Sequence, residues 1–221
     1  IHCAEGLRLA EQAGDPQIIA HLLTGSSIVA RQLGDYAAAQ EFIARSLAVY
    51  EEMEDPYGVI QGWLTLGGLA YSLVQYGDAA AHYRRALDAS LALGFRSGEA
   101  ESHCRLGQIA AAQQQPREAV THLQVALRLT MEIQEAPLLL DILYTVATLS
   151  KASLEAAAPL AIWLLAQPEL DGPRRLALSA ALAATAVEST TSPAPQDNGS
   201  VIALARQLLH SHAQFFESRS R

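Results

Sequence analysis

The residues best suited to chemistry in this chain are a histidine and a cysteine that are adjacent, His103 and Cys104. A cysteine nucleophile needs a base within hydrogen-bonding reach. Neighbouring residues on a helix do not face each other, so Cys104 would need a different histidine as its base. A buried or groove-lining cysteine is the favoured interpretation, and we expect no catalytic residues and no enzymatic activity.

Two other histidines, His82 and His122, occupy equivalent positions of a repeating pattern that is described below. Stacked helices would align them on one face, but packed helices lie about 8–10 Å apart, whereas a metal–nitrogen bond is about 2 Å long. His210 and His212 are two positions apart on a predicted helix, so they point in different directions. The sequence therefore predicts no metal site and no cofactor.

Two further patterns have a structural explanation. Gly67 and Gly68 lie inside a helical pattern and lack the Gly-Lys-Ser/Thr ending of a phosphate-binding loop. The acidic run at 51–55 crowds the end of a predicted helix and is typical of a solvated surface. Neither pattern indicates a catalytic site.

Composition favours a helical protein of the cytoplasm. Half of the residues are apolar and 6% are aromatic, which excludes disorder for most of the chain and favours helices over strands. The formal net charge of −8 argues against direct binding to nucleic acid or to an anionic membrane. Cys3 and Cys104 are far apart in sequence and indicate neither a disulfide framework nor a zinc site, so a reducing cytoplasm is the simplest interpretation. The apolar stretches are too short to span a bilayer.

Residues of similar type recur about every 40 positions in this chain, and this spacing indicates which helices position the side chains discussed above. Small residues repeat at this spacing in two places, at Ser27, Gly67 and Gly107 and again at Ala39, Ala79 and Ala119. Repeats of this length, about 40 residues, are two-helix modules that bury their apolar faces by stacking. We therefore predict an all-α fold of helix pairs, in which the small residues permit close approach between helices.

The same spacing predicts the organisation of the chain. Residues 1–16 are predicted to be the second helix of a repeat whose first helix is missing, which indicates that the chain is cut from a longer polypeptide. Repeats follow at 17–56, 57–96, 97–136 and 137–167. Atypical capping helices are predicted at 168–221, with a flexible loop near 189–200.

The second and third repeats resemble the tetratricopeptide repeat family. The resemblance rests on Trp63-Leu64-Thr65-Leu66-Gly67, Ala70, Gln75-Tyr76, Ala79, Tyr83 and Ala86-Leu87, and then on Ala119, Leu123 and Ala126-Leu127. It covers 17–134 well and 137–167 weakly. The unit, at about 40 residues, is longer than the family's usual length of about 34. The usual closing proline is replaced by Glu51, Leu91 or Met131. The resemblance implies a right-handed superhelical solenoid of antiparallel helix pairs.

In that family the first helix of each pair forms most of the inner, concave face. Carrying this face across by register implies a binding groove formed by Arg31, Gln32, Gln61, Leu64, Tyr71, Glu101, Gln108, Asp141, Tyr144 and Lys151. Such a groove is suited to an extended peptide or an apolar ligand, although an ordinary solvated face is an equal alternative. Arg31 and Lys151 are three repeats apart, so we expect no pair of adjacent cations to clamp a peptide carboxylate.

Units of this length rich in Ala, Leu, Arg and Gln also resemble the sensor arrays of bacterial signal-transduction ATPases and transcriptional regulators. The leading hypothesis is therefore a non-catalytic protein-interaction or ligand-sensing domain, in the C-terminal part of a larger bacterial regulatory protein. One alternative is a free-standing adaptor or scaffold. Another is a substrate-positioning domain of an enzyme whose catalytic part is absent.

Overall fold

The computed structural model describes residues 2–149, 151–184 and 197–218. Regular structure within these ranges is entirely helical. None of the described helices is both long enough and apolar enough to cross a lipid bilayer. The helices are α1 (His2–Ala13), α2 (Pro16–Gln32), α3 (Tyr36–Glu52), α4 (Pro56–Ser72), α5 (Tyr76–Leu93), α6 (Arg96–Ala112), α7 (Pro116–Ile133), α8 (Ala136–Thr148), α9 (Lys151–Leu165), α10 (Gly172–Ala184) and α11 (Asn198–Ser218).

The helices of the repeat region begin at a regular spacing of 20 residues, which is half the spacing of the sequence pattern. The first residues of α2 to α8 are at positions 16, 36, 56, 76, 96, 116 and 136. The turn before each of these helices holds one residue in the left-handed backbone conformation. Glycine adopts this conformation without steric cost, whereas a β-branched residue such as Val74, at φ 60°, does so only where the turn enforces it. The left-handed residues are Gly14, Gly34, Glu54, Val74, Gly94, Gln114 and Gln134.

Aspartates at the same position of successive turns start the first three helices after α1. The side chains of Asp15, Asp35 and Asp55 each accept a hydrogen bond of 3.1 Å from a main-chain N–H in the first turn of α2, α3 or α4. A carboxylate in this position satisfies a donor that has no partner within the helix. Both α2 and α4 also have proline at their first residue, where its missing N–H costs nothing.

The chain forms two compact units, Ile1–Ser102 and His103–Arg221. In the first unit α2 packs against α3 and α4 packs against α5. Helix α3 also contacts α4, and α1 contacts α2. The largest fully buried side chains of this unit are Leu23, Ile43, Tyr50 and Ile60.

In the second unit α7 packs on α8, α8 on α9 and α9 on α10, while α11 contacts α7, α8 and α9. The two C-terminal helices contribute Leu178, Val201, Ala205 and Leu209 to the core. Its largest fully buried side chains are Leu123, Leu127, Leu129, Ile142, Leu143, Leu160, Leu164 and Leu178.

The prediction that small residues permit close helix approach is confirmed within each unit. Ser27 Oγ donates a hydrogen bond of 2.8 Å to a main-chain carbonyl of α3. A Cβ atom placed on Gly67 would lie 2.5 Å from Tyr83 Cε1, and one on Gly107 would lie 2.9 Å from Leu123 Cγ. Real Cβ atoms do not approach carbon this closely, so the glycines leave room for the facing side chains.

The C-terminal helices differ in detail from the prediction. The last helix begins at Asn198 instead of Val201, because Asp197 accepts a hydrogen bond of 2.8 Å from the Ser200 main-chain N–H and so starts the helix earlier. The predicted loop near 189–200 therefore ends sooner, and its part before 197 lies outside the described residues. Pro159 lies inside α9.

Candidate functional site

The cysteine and histidine that could have formed a nucleophilic pair lie in different environments. Cys104 is fully buried. His103 is half-buried, and its Nδ1 lies 2.9 Å from His122 Nδ1. In such a pair one nitrogen donates and the other accepts, so only one of the two Nδ1 atoms carries a proton. His122 thus pairs with His103, which belongs to the same unit. The equivalent repeat positions of His122 and His82 do not predict this pair.

A metal site is not formed by the side chains that the structure describes. Among them, no three His, Cys, Asp or Glu residues lie close enough together to hold a metal ion. His210 lies exposed on α11, while His212 is partly buried and burial lowers its pKa.

The predicted inner face is mostly half-buried, with one line of residues in the core. Gln61, Glu101 and Asp141 share a register position and are all partly exposed. Leu64, in contrast, is only 5% exposed. Its register equivalents Thr24 and Cys104 are also buried, whereas Tyr144, the fourth member of this line, is partly exposed on α8. The assignment of Leu64 to the surface is therefore wrong.

The remaining predicted positions vary in their placement. Arg31 and Tyr71 are half-buried and Gln32 is exposed. The repeat register places Lys151 near the end of a first helix, but α8 ends at Thr148 and Lys151 begins α9. Its side chain lies outside the described residues.

In the first unit, Arg31 links two helices of the predicted inner face. Its Nη1 donates a hydrogen bond of 3.1 Å to Ser72 Oγ, so that α2 and α4 are joined. Gly68 lies beneath the guanidinium: a Cβ placed on it would lie 3.8 Å from Arg31 Nε. Beside this contact the Tyr71 and Tyr76 rings lie 5.5 Å apart. The result is a partly exposed surface with one cation, two hydroxyl-bearing rings and a glycine.

In the second unit, a carboxylate on α8 is shared by two arginines. Arg105 Nη1 donates to Asp141 Oδ2 at 2.8 Å. Arg174, from α10, donates to the other carboxylate oxygen of Asp141. Arg105 also donates to Gln108 Oε1 at 3.2 Å. Side chains from α6, α8 and α10 therefore form one hydrogen-bonded network, which we call the Asp141 network (Arg105, Gln108, Asp141, Arg174).

Tyr144 adjoins the Asp141 network on α8. The Arg174 guanidinium lies over its ring, 5.4 Å from the centroid, a geometry suited to a cation–π interaction. Burial raises the pKa of Tyr144, and Asp171 acts in the same direction while Arg174 opposes it. The phenol is therefore a neutral donor and acceptor at neutral pH.

The structure adds two arginines to this surface. Arg105 and Arg174 both pair with Asp141, so they lie close together. Sequence reasoning missed Arg105 because its register position, shared with Thr65 and Thr145, was not assigned to the inner face. It missed Arg174 because α10 lies beyond the repeats. Both charges are held by carboxylates here, since Arg174 Nε also lies 3.3 Å from Asp171 Oδ2.

Comparison with known proteins supports the fold. No protein-family model matches the chain, and no curated protein matches it. The crystal structure of BtubC (BKLC) from P. vanneervenii is similar, with a TM-score of 0.66 and 14% sequence identity. The match covers 99% of this chain and 90% of that one. The residues that the structure describes thus form an all-α fold with a helical-repeat character.

The half-buried His82 makes stability depend on pH. His82 Nδ1, on α5, is buried and has no hydrogen-bond partner among the described residues. Burial lowers the pKa of His82 from its ordinary value of 6.5, Arg85 acts in the same direction, and Asp78 opposes them. His82 therefore binds a proton at a higher pH in the unfolded chain than in the folded chain.

We expect the contribution of His82 to the free energy of unfolding to be fully present above the ordinary histidine pKa of about 6.5. The free energy of unfolding should then decrease as the pH falls below this value. His82→Phe should reduce this decrease, since phenylalanine occupies the equivalent position 42. Melting temperatures at about pH 7.5 and about pH 5.5 measure the effect. His21→Gln, at an exposed histidine, should leave the difference unchanged. An equal pH dependence in parent and His82→Phe would contradict the prediction.

Proposed function

We propose that this chain is a non-catalytic binding domain of the tetratricopeptide repeat type, which takes a protein or peptide ligand on the first helices of its pairs. The proposal includes stacking of the pairs into a right-handed superhelical solenoid. It is supported by the sequence resemblance, by the regular spacing at which α2 to α8 begin and by the similarity to a solved helical protein.

The observation that carries the proposal is the Asp141 network. Its side chains are partly exposed, at 25% for Arg105, 15% for Asp141 and 34% for Arg174. They hold one another in place, so a ligand would not have to immobilise long, flexible side chains at its own cost. Gln108 adds an amide, which also donates to Thr145 Oγ1 at 3.4 Å.

The chemistry of this surface is suited to the polar groups of an extended peptide. The charges of Arg105 and Arg174 are balanced by Asp141 and Asp171, so the surface has no strong preference for one sign. The Tyr144 phenol and the Gln108 amide each combine a donor with an acceptor, as a peptide backbone does. We therefore propose a peptide of mixed polarity as the ligand.

We propose further that ligand binding by this domain serves a regulatory role. The composition resembles that of sensor arrays in bacterial signal-transduction ATPases and transcriptional regulators, and we accordingly propose a cytoplasmic location. Binding would then bias the spacing of the helix pairs and pass a signal to a fused domain.

Peptide display tests the proposal directly. A random peptide library is selected on the whole chain, and the affinity of the best peptide is measured by fluorescence anisotropy. The variant Gln108→Ala/Tyr144→Ala should weaken binding by about tenfold or more, which corresponds to about 1.4 kcal/mol. The same two substitutions on α3, Gln40→Ala/Tyr36→Ala, are the matched control at exposed positions.

The proposal fails if no peptide is selected. It also fails if both double variants bind the peptide as tightly as the parent, because the ligand would then lie elsewhere. Thermal unfolding of each variant confirms that it is folded, so that a loss of affinity reports on the surface and not on stability.

A further inference from the structure

An open groove of about 490 Å³ lies between α7 and α11 in the second unit. Two arginines line it, Arg128 from α7 and Arg206 from α11. His210 lies one turn beyond Arg206 on the same helix and also lines the groove. The groove is therefore cationic, although the chain as a whole has a formal net charge of −8.

The arginines of this groove differ from the other arginines described in the second unit. Arg105 and Arg174 bind carboxylates, and Arg175 donates to main-chain carbonyls. Arg117 also has an interaction with another group. Arg128 and Arg206 have neither an ion pair nor a hydrogen bond to any described residue. Each guanidinium carries five N–H donors and no acceptor, so the groove presents an excess of donors.

The rest of the lining combines an apolar floor with polar side chains. Leu127 and Leu209 lie at the base of the groove and are each only 1% exposed. Gln124 and Gln207 add exposed amide groups.

The proton of the His210 ring is placed by its neighbour. The Gln214 side-chain amide nitrogen lies 2.9 Å from His210 Nε2. An amide nitrogen donates, so Nε2 accepts and the proton of the neutral ring is on Nδ1.

We propose that this groove binds a small molecule that carries a carboxylate or phosphate group on a short apolar chain. Guanidinium groups pair with the oxygens of both anions through two parallel hydrogen bonds, while the apolar stems of the exposed arginine side chains contact the apolar part. The volume lies within the range of about 300–1,000 Å³ that is usual for small-molecule sites. The groove is built by α7 and α11, not by the Asp141 network, so this inference stands independently of the proposed peptide site.

Calorimetric titration of the whole chain tests the inference with four probes: octanoate, octyl phosphate, octanol and inorganic phosphate. At least one of the two octyl anions should bind at a single site, and the tighter of them identifies the anionic group. Octanol and inorganic phosphate should each bind at least about tenfold more weakly, because each lacks one half of the recognised chemistry.

Substitutions locate the site. Arg128→Gln and Arg206→Gln should each weaken binding of the octyl anion by about tenfold, and the double variant should abolish it. Both residues are exposed, so the variants should keep the melting temperature of the parent. Arg84→Gln, at an exposed arginine of α5, makes the same change in charge and should leave the affinity unchanged.

Three results would overturn the inference. One is that neither octyl anion binds, and another is that octanol binds as tightly as the anions do. The third is that the Arg128→Gln/Arg206→Gln variant retains the affinity of the parent. Loss of peptide binding in the Gln108→Ala/Tyr144→Ala variant, by contrast, concerns a different surface and leaves this inference unaffected.

Discussion

Gly67→Leu is expected to lower the free energy of unfolding by about 1–3 kcal/mol, since added side-chain atoms overpack the interface between α4 and α5. The first added atom already has no room, because a Cβ on Gly67 would lie 2.5 Å from Tyr83 Cε1. Tyr83 is only 3% exposed, so its ring has no free path to solvent. Urea unfolding monitored by circular dichroism measures the change.

Alanine substitutions supply the matched control for this prediction. Gly67→Ala should destabilise the chain, although alanine is favoured over glycine in a helix by about 1 kcal/mol. Gly25 lies inside α2, and nothing lies within 4 Å of a Cβ placed on it. Gly25→Ala should therefore leave stability unchanged or raise it. If Gly67→Ala and Gly25→Ala change the free energy of unfolding equally, the contact with Tyr83 does not restrict the size of the residue at position 67.

Asp141→Asn is expected to lower the free energy of unfolding by about 1–3 kcal/mol, because it removes the negative charge that Arg105 and Arg174 share. Arg105 and Arg174 would then face each other across a neutral amide at a site where Asp141 is only 15% exposed. An asparagine has nearly the shape of aspartate, so the effect reports on charge. The measurement is again urea unfolding.

Two further variants separate the network from ion pairs in general. Glu11→Gln removes the exposed pair between Glu11 and Arg45, in which both side chains are 46% exposed. Such surface pairs contribute about 0–1 kcal/mol, so the loss should be smaller. Adding Arg174→Gln to Asp141→Asn should restore part of the stability by removing one of the two facing charges. If Asp141→Asn costs no more than Glu11→Gln, the Asp141 network does not stabilise the unit.

The helices could be predicted well because their signals are local. Asp15, Asp35 and Asp55 cap helices through contacts within the next turn of the chain. A left-handed residue recurs in every turn from α1 to α8, but only some of these residues are glycine. Glu54 and Val74 occupy the same conformation, and no sequence signal marks them. This is why the turns are more regular in the structure than in the sequence.

The candidate site could be predicted only in part. Register placed Gln108, Asp141 and Tyr144 on the first helices, and all three are partly exposed. It also placed Leu64 on the surface, where the structure places it in the core. Leu64 and Tyr144 share a register position, so their different burial depends on the helices that pack around each of them, which register alone does not specify.

By itself the sequence determined the helical class, the positions of the helices and the repeating positions of the small residues. Each of these depends on a local signal, namely the repeat periodicity, the helix caps or the small side chains themselves. Only the tertiary structure decided that Arg105 and Arg174 meet at Asp141, that His103 pairs with His122, and that Arg128 and Arg206 line one groove. Each of these contacts joins different helices. The relative position of such helices depends on the packing of many side chains at once, which no local pattern specifies.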